Sequence, residues 1–265
     1  MNDQTLLREL DHLMTDLSAE MPEHREFFSS YPNETIDDKY EIFRGYCNIR
    51  PPKPVSDDFL MRQDAVLQEL LTRRNVVNFS ELSPVKSQLY LWQGDITLLA
   101  TDGIVNAANS DMLGCTQANH DCIDNAIHTR AGIQLRLACH EFMMKLGHKE
   151  PMGKARITSG YNLPSQYVLH TVGPYIDSRG VTPIKEDLLR SAYRSCLKVA
   201  DDHQLDSLAF CCISTGEFHY PNEEAAKVAI ETVEEYLRTT GSDLKVVFNV
   251  FLDKDREIYE KLLDD

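Results

Sequence analysis

The chain has 265 residues, 42% hydrophobic, with few Gly and Pro and a formal net charge of −15. That size and apolar content suit one packed domain with or without an extension, and argue against low-complexity disorder. The acidic balance disfavours nucleic acid as a partner, and no apolar run of about 18 residues offers a membrane span.

The opening Met1-Asn2-Asp3-Gln4-Thr5 lacks the basic-then-apolar order of a secretory signal, so a cytoplasmic location is expected. Seven Cys there are expected as reduced thiols or metal ligands. Leu6, Leu10, Leu13 and Leu17 recur at helical spacing and predict a helix from Asp3 to about Glu20. Residues 22–56 read as mixed, because Pro22, Pro32 and Pro51-Pro52-Lys53-Pro54 interrupt any long helix. Ser56-Asp57-Asp58 can cap a helix to about Arg74, with Leu60, Leu67, Leu70 and Leu71 on its buried side. Residues 1–78 are thus expected as a helical extension on a main domain of 79–265.

From residue 86 onward strands and helices alternate. Strands are expected at 88–93, 103–107, 155–161, 167–171, 207–213 and 245–251. Helices are expected at 121–130, 133–146, 184–203, 223–239 and 253–263. The run from Ser207 to Ile213 is apolar throughout, which marks a strand covered on both faces. Such alternation implies a mixed sheet between helix layers, with ligands beyond the carboxyl ends of its strands.

Three loops follow predicted strands. Gln93-Gly94-Asp95-Ile96-Thr97 places a carboxylate where it can accept from an exocyclic amine. Val105-Asn106-Ala107-Ala108-Asn109-Ser110 offers two side-chain amides to sugar hydroxyls. Ser214-Thr215-Gly216-Glu217-Phe218-His219-Tyr220-Pro221 enters a helix and can offer free N–H groups to phosphate. Each alone reads equally well as an ordinary turn.

Between the second loop and its helix lies Gly114-Cys115-Thr116-Gln117-Ala118-Asn119-His120-Asp121-Cys122-Ile123-Asp124. Cys115, His120 and Cys122 form Cys-x₄-His-x-Cys, a donor set suited to Zn²⁺, and three protein ligands leave one tetrahedral position open. The following helix start is expected to favour the Cys122 thiolate. The plain alternative is two buried thiols and a surface His. Cys139 and His140 are expected in the core and at the surface, and His219 is left open as a fourth ligand. Arg136, Arg156 and Arg179 are expected to be solvated or to pair between helices. His128, His170, Cys211, Cys212 and Trp92 are expected as core residues.

Taken together, Gly-Asp-Ile-Thr, Ile-Val-Asn-Ala-Ala-Asn, Ala-Ile-His-x-x-Ala-Gly at Ala126–Gly132 and Ile-Ser-Thr-Gly at Ile213–Gly216 resemble the macrodomain, the ADP-ribose-binding fold. The resemblance covers about residues 86–265 and implies an α/β, three-layer α/β/α sandwich with a mixed central sheet. Where ordinary hydrolytic macrodomains carry a glycine run, this chain has the Cys/His segment. It is similar there to the zinc-dependent branch of the family, which also bears an N-terminal helical extension.

That resemblance implies a hydrolase removing mono-ADP-ribose from acidic side chains of proteins, the alternative being an ADP-ribose or O-acetyl-ADP-ribose binding module or deacetylase with structural zinc. It assigns Asp95 and Ile96 to adenine and Asn109 to the distal ribose. Ser214, Thr215, Gly216, Glu217 and Phe218 go to the diphosphate and ribose, and Cys122, Ile123 and Asp124 complete that shell. Asn109 and Asp124 are the implied catalytic residues. The implied partners are an ADP-ribosylated protein, a sirtuin-type ADP-ribosyltransferase and a lipoylated glycine-cleavage-H-like carrier.

Overall fold

In the computed structural model, which describes residues 1–264, the leucine spacing of the first segment forms α1 (Asp3–Glu20). Asn2 caps it, its side chain accepting from the Thr5 amide at 2.9 Å. After the short α2 (Arg25–Ser29) comes a 14-residue helix, α3 (Ile36–Ile49), in the region expected to be broken by proline. The prolines flank this stretch rather than enter it, and a reciprocal cap between Thr35 and Asp38 starts it. Ser56 caps α4 (Asp57–Thr72) as expected. Leu6, Leu10, Leu13, Leu17, Phe43 and Val66 are fully buried in a core of their own, which Ile133 of the main body joins. Each such leucine contributes roughly 1.5–3 kcal/mol by leaving water.

The main body begins with β1 (Val77–Asn78), β2 (Pro84–Lys86), β3 (Leu89–Gln93), β4 (Leu99–Ala100) and β5 (Gly103–Ala107). Next come α5 (Ile123–Ala131), α6 (Ile133–Leu146), β6 (Ala155–Ser159) and β7 (Tyr167–Thr171). The chain closes with α7 (Pro183–Asp202), β8 (Ser207–Phe210), α8 (Asn222–Thr240), β9 (Lys245–Val250) and α9 (Asp253–Asp264). β1 and β4 pair with each other in parallel. The seven-stranded sheet has the order β2-β3-β9-β8-β5-β7-β6. Its five central strands are parallel and both edge strands antiparallel, so the sheet is mixed.

All four residues of β8 are buried, as a strand covered on both faces requires. The strand ends at Phe210, where its pairing with Phe248 ends, and Cys211–Ile213 run on into a loop. α5 packs on β5, α6 on β6, α7 on β6 and β7, and α9 on β3 and β9. The parallel strands bring the carboxyl ends of β3, β9, β8, β5 and β7 to one edge. All three loops singled out in the sequence leave from that edge.

Candidate active site at the carboxyl edge of the sheet

Asp95 follows β3 and is half-buried. Its carboxylate accepts from the Thr97 amide at 2.9 Å, the Thr97 hydroxyl at 2.7 Å and Arg74 Nη2 at 2.7 Å. Burial acts to raise its pKa, but the Thr97 and Arg74 hydrogen bonds outweigh it and hold the group below the usual carboxylate range. Ile96 is buried beneath it.

The two asparagines at the end of β5 and just past it do different work. Asn106 is fully buried; its amide donates to Asp124 Oδ1 at 2.8 Å and lies 3.2 Å from His170 Nδ1. It therefore faces the interior rather than a ligand, contrary to the expectation that both amides meet sugar. Asn109 is half-buried, donates to the Gly114 carbonyl at 3.3 Å and Asp124 Oδ2 at 3.5 Å, and accepts from the Asp111 amide at 2.9 Å. Asp124, in the first turn of α5, is thus gripped by both amides and buried. Burial raises its pKa to about 6, against the opposing pull of Asn106 and Arg136.

Cys115, His120 and Cys122 converge: their ligand atoms all lie within 4.8 Å of one another, and each residue is half-buried. Cys115 Sγ is 3.6 Å from His120 Nδ1. Cys122 caps α5, its Sγ accepting from the Asn125 amide at 3.4 Å. The helix start favours the thiolate through the Asn125 amide, as expected, but burial outweighs it. Burial pushes the thiol up to about 12, and the Asn125 amide that lowers it is opposed by Cys115 and Asp124. A cationic partner beside the sulfur would favour the thiolate. A sulfur–nitrogen–sulfur set, converged and reachable from solvent, fits zinc. His219 is exposed and turned to the Tyr175 ring, 5.7 Å between centroids, outside this trio. Beyond the trio, His120 faces Glu217, whose Oε1 lies 3.8 Å from Nε2.

That contact joins the second loop to the third. Ser214 is buried at φ 69°, a left-handed conformation that bends the loop after β8. The amides of Gly216, Glu217 and Phe218 meet no protein acceptor among the described residues, which leaves a run of N–H groups for an anion. Thr215 is tied by its hydroxyl to the Cys212 carbonyl at 2.9 Å. Phe218 packs with Ala108, Met112 and Val172 and meets Tyr175 edge-on at 6.0 Å. A Cβ on Gly173 would stand 2.1 Å from Ser214 Oγ, so only glycine lets the loop after β7 lie this close. Ile123, the first residue of α5, is half-buried.

Among the remaining residues, Arg136 takes the helix-pairing role of its expectation and not the solvated one. It is buried, not solvated, and donates to the carbonyls of Cys47, Asn48, Arg50 and Cys115. Arg156 pairs with Glu150 and Arg179 with Asp177. A second trio, His128, Cys139 and His170, also lies within 4.8 Å and is wholly buried. His170 Nε2 meets the Thr158 hydroxyl at 2.9 Å. Residues missed from sequence include Phe251, 71% exposed just past β9, and Tyr175 after β7. The expected strand 245–251 includes Phe251, whereas β9 ends at Val250 and leaves the ring exposed.

Along the edge, the ends of β3 and β5 are separated by β9 and β8, three steps or about 14 Å. The order is a fixed carboxylate with an exposed aromatic, then a loop of free amides, then the Asn109–Asp124 and Cys/His cluster.

Residues 105–229 match the Macro domain family. A "Protein-ADP-ribose hydrolase" of Staphylococcus aureus (strain MSSA476) is 51% identical over 95% of this chain and 94% of its own length. One of Treponema medium is 47% identical over 86% of this chain and 88% of its own. The crystal structure of a Trypanosoma brucei macrodomain in complex with ADP-ribose is 32% identical, with a TM-score of 0.65, over 80% of this chain and 92% of that one.

Proposed function

The chain belongs to the macrodomain family, and on that footing we propose that it hydrolyses ADP-ribose from modified proteins, with zinc held by Cys115, His120 and Cys122 beside the distal ribose. One observation carries the reading: amine acceptor, anion loop and sugar-plus-metal cluster follow one another along the edge in the order adenine, diphosphate, ribose. A compact ligand would not need chemistries spread over about 14 Å.

Asp95 accepts from the adenine amine, its carboxylate oriented by Arg74 and Thr97, and the Phe251 ring offers a face to the base. The loop from Ser214 to Phe218 takes the diphosphate through backbone N–H groups, which need no mobile cation to order them. Asn109 orients a ribose hydroxyl. Asp124 keeps a carboxylate fixed by Asn106 where positive charge develops at the anomeric carbon as the bond to the acceptor breaks. Bound zinc supplies Lewis-acid charge at that end of the sugar. The acceptor we propose is an acidic side chain. The resemblance extends the proposal to a sirtuin-type transferase that installs the modification and a lipoylated carrier that bears it. Among the described residues no helix is long and apolar enough to cross a membrane.

The test incubates the protein with a carboxylate-linked mono-ADP-ribosylated acceptor, measures free ADP-ribose, and determines bound metal in the same preparation. Release accompanied by one zinc per chain is expected. Binding without release would make the protein a reader, and release by metal-free protein would remove zinc from the reaction.

A further inference from the structure

Residues 108–122 contain no helix or strand, so the shape of the metal-ligand segment must come from what surrounds it. One face of α3, carrying Glu41, Arg44, Gly45 and Asn48 at helical spacing, lies against it. Arg44, its side chain 14% exposed, is the centre of that face. Its Nη2 donates to the His120 carbonyl at 2.8 Å and Asp121 Oδ1 at 3.3 Å, and its Nε to Asn125 Oδ1 at 3.2 Å. Glu41 Oε2 orients the guanidinium from 3.2 Å.

Beside it, Asn119 sits at φ 55° in the middle of the segment. Its amide donates to Asn48 Oδ1 at 2.9 Å, and its side chain donates to the Glu41 carbonyl and carboxylate at 2.8 Å. A Cβ on Gly45 would stand 2.5 Å from Asn119 Oδ1, so the helix is stripped of a side chain where the loop crosses it. From the other side Arg136 links the carbonyls of Cys47, Asn48 and Arg50 to that of Cys115.

We infer that α3 is a part of the active site, and that Arg44 is a positioning residue that sets the His120 backbone and with it the convergence of Cys115, His120 and Cys122. A planar guanidinium can hold three acceptors at fixed angles, which an ammonium cannot. The part of this inference that concerns metal rests on the zinc reading above; the part that concerns loop order does not.

The experiment compares full-length wild type, Arg44→Ala and Arg44→Lys. Hydrogen exchange of residues 115–125 in metal-free protein is expected to accelerate by about tenfold in Arg44→Ala, the loss of a charged hydrogen bond, with β8 and β9 unchanged. Zinc transfer to a chelator is expected to accelerate similarly, and Arg44→Lys to fall between the two. Unchanged exchange in residues 115–125, or acceleration spread evenly over the chain, overturns the inference. Should Arg44→Ala fail to fold, Arg44→Lys carries the same comparison. If wild type takes up no zinc, the metal reading fails while the exchange data still decide the role of Arg44.

Discussion

Two Cys/His trios lie at α5, each with its ligand atoms within 4.8 Å of one another, but one is half-buried and the other wholly buried. In the buried trio, His170 meets Asn106 and Thr158, while neither ring nitrogen of His128 has a hydrogen-bond partner among the described residues. In the half-buried trio, Cys115, His120 and Cys122 are partly open to solvent, with Glu217 facing His120 and the Asn125 amide on Cys122 Sγ. Proximity of ligand types is thus a weak criterion for a metal site. What separates the two is an open approach from solvent, which a catalytic centre needs and a packed core removes.

The largest effect expected from breaking that contrast is in Cys115→Ala or His120→Ala: turnover falls by about a thousandfold or more, several kcal/mol of lost charge stabilisation. Metal analysis of the same samples should read zero with the circular dichroism spectrum retained. Asp124→Asn keeps an acceptor for Asn106 but removes the charge between the trios. Its kcat is expected to drop about a hundredfold, with ADP-ribose affinity by calorimetry within about threefold of wild type.

The buried trio should show itself in stability rather than chemistry. Burial pushes His170 down to about 3 and lowers His128 well below its ordinary value, so both stay neutral in the fold. Below about pH 6.5 the unfolded chain binds protons that the folded chain does not. Stability is therefore full above that pH and is lost as pH falls toward 3, by up to about 1.4 kcal/mol per pH unit for each group. Urea midpoints between pH 7 and 5 check this, and His170→Asn should flatten the slope. The smallest effect is that of Cys139→Ala, about 1 kcal/mol of stability with zinc content and turnover unchanged.

Much of this was readable in advance. The leucines of α1, the Ser56 cap and the alternation from β3 onward follow from local periodicity, and β7 matches its expected bounds residue for residue. α3 was hidden because prolines were weighed by their number and not by the clear stretch between Pro32 and Pro51, which holds the 14-residue helix. The pairing of Arg136 between helices was expected, but its burial was not legible, because the carbonyls that take its protons lie more than 80 residues away.

The sequence alone determined which residue types stand at each strand end, because motif chemistry and periodicity are properties of neighbours in the chain. Only the tertiary structure decided that Asn106 points inward while Asn109 reaches the edge, that Glu217 meets His120, and that a helix 76 residues earlier holds the His120 carbonyl. Those outcomes depend on which lone pairs and donors remain unpaired once the whole chain has packed, and no local pattern records that.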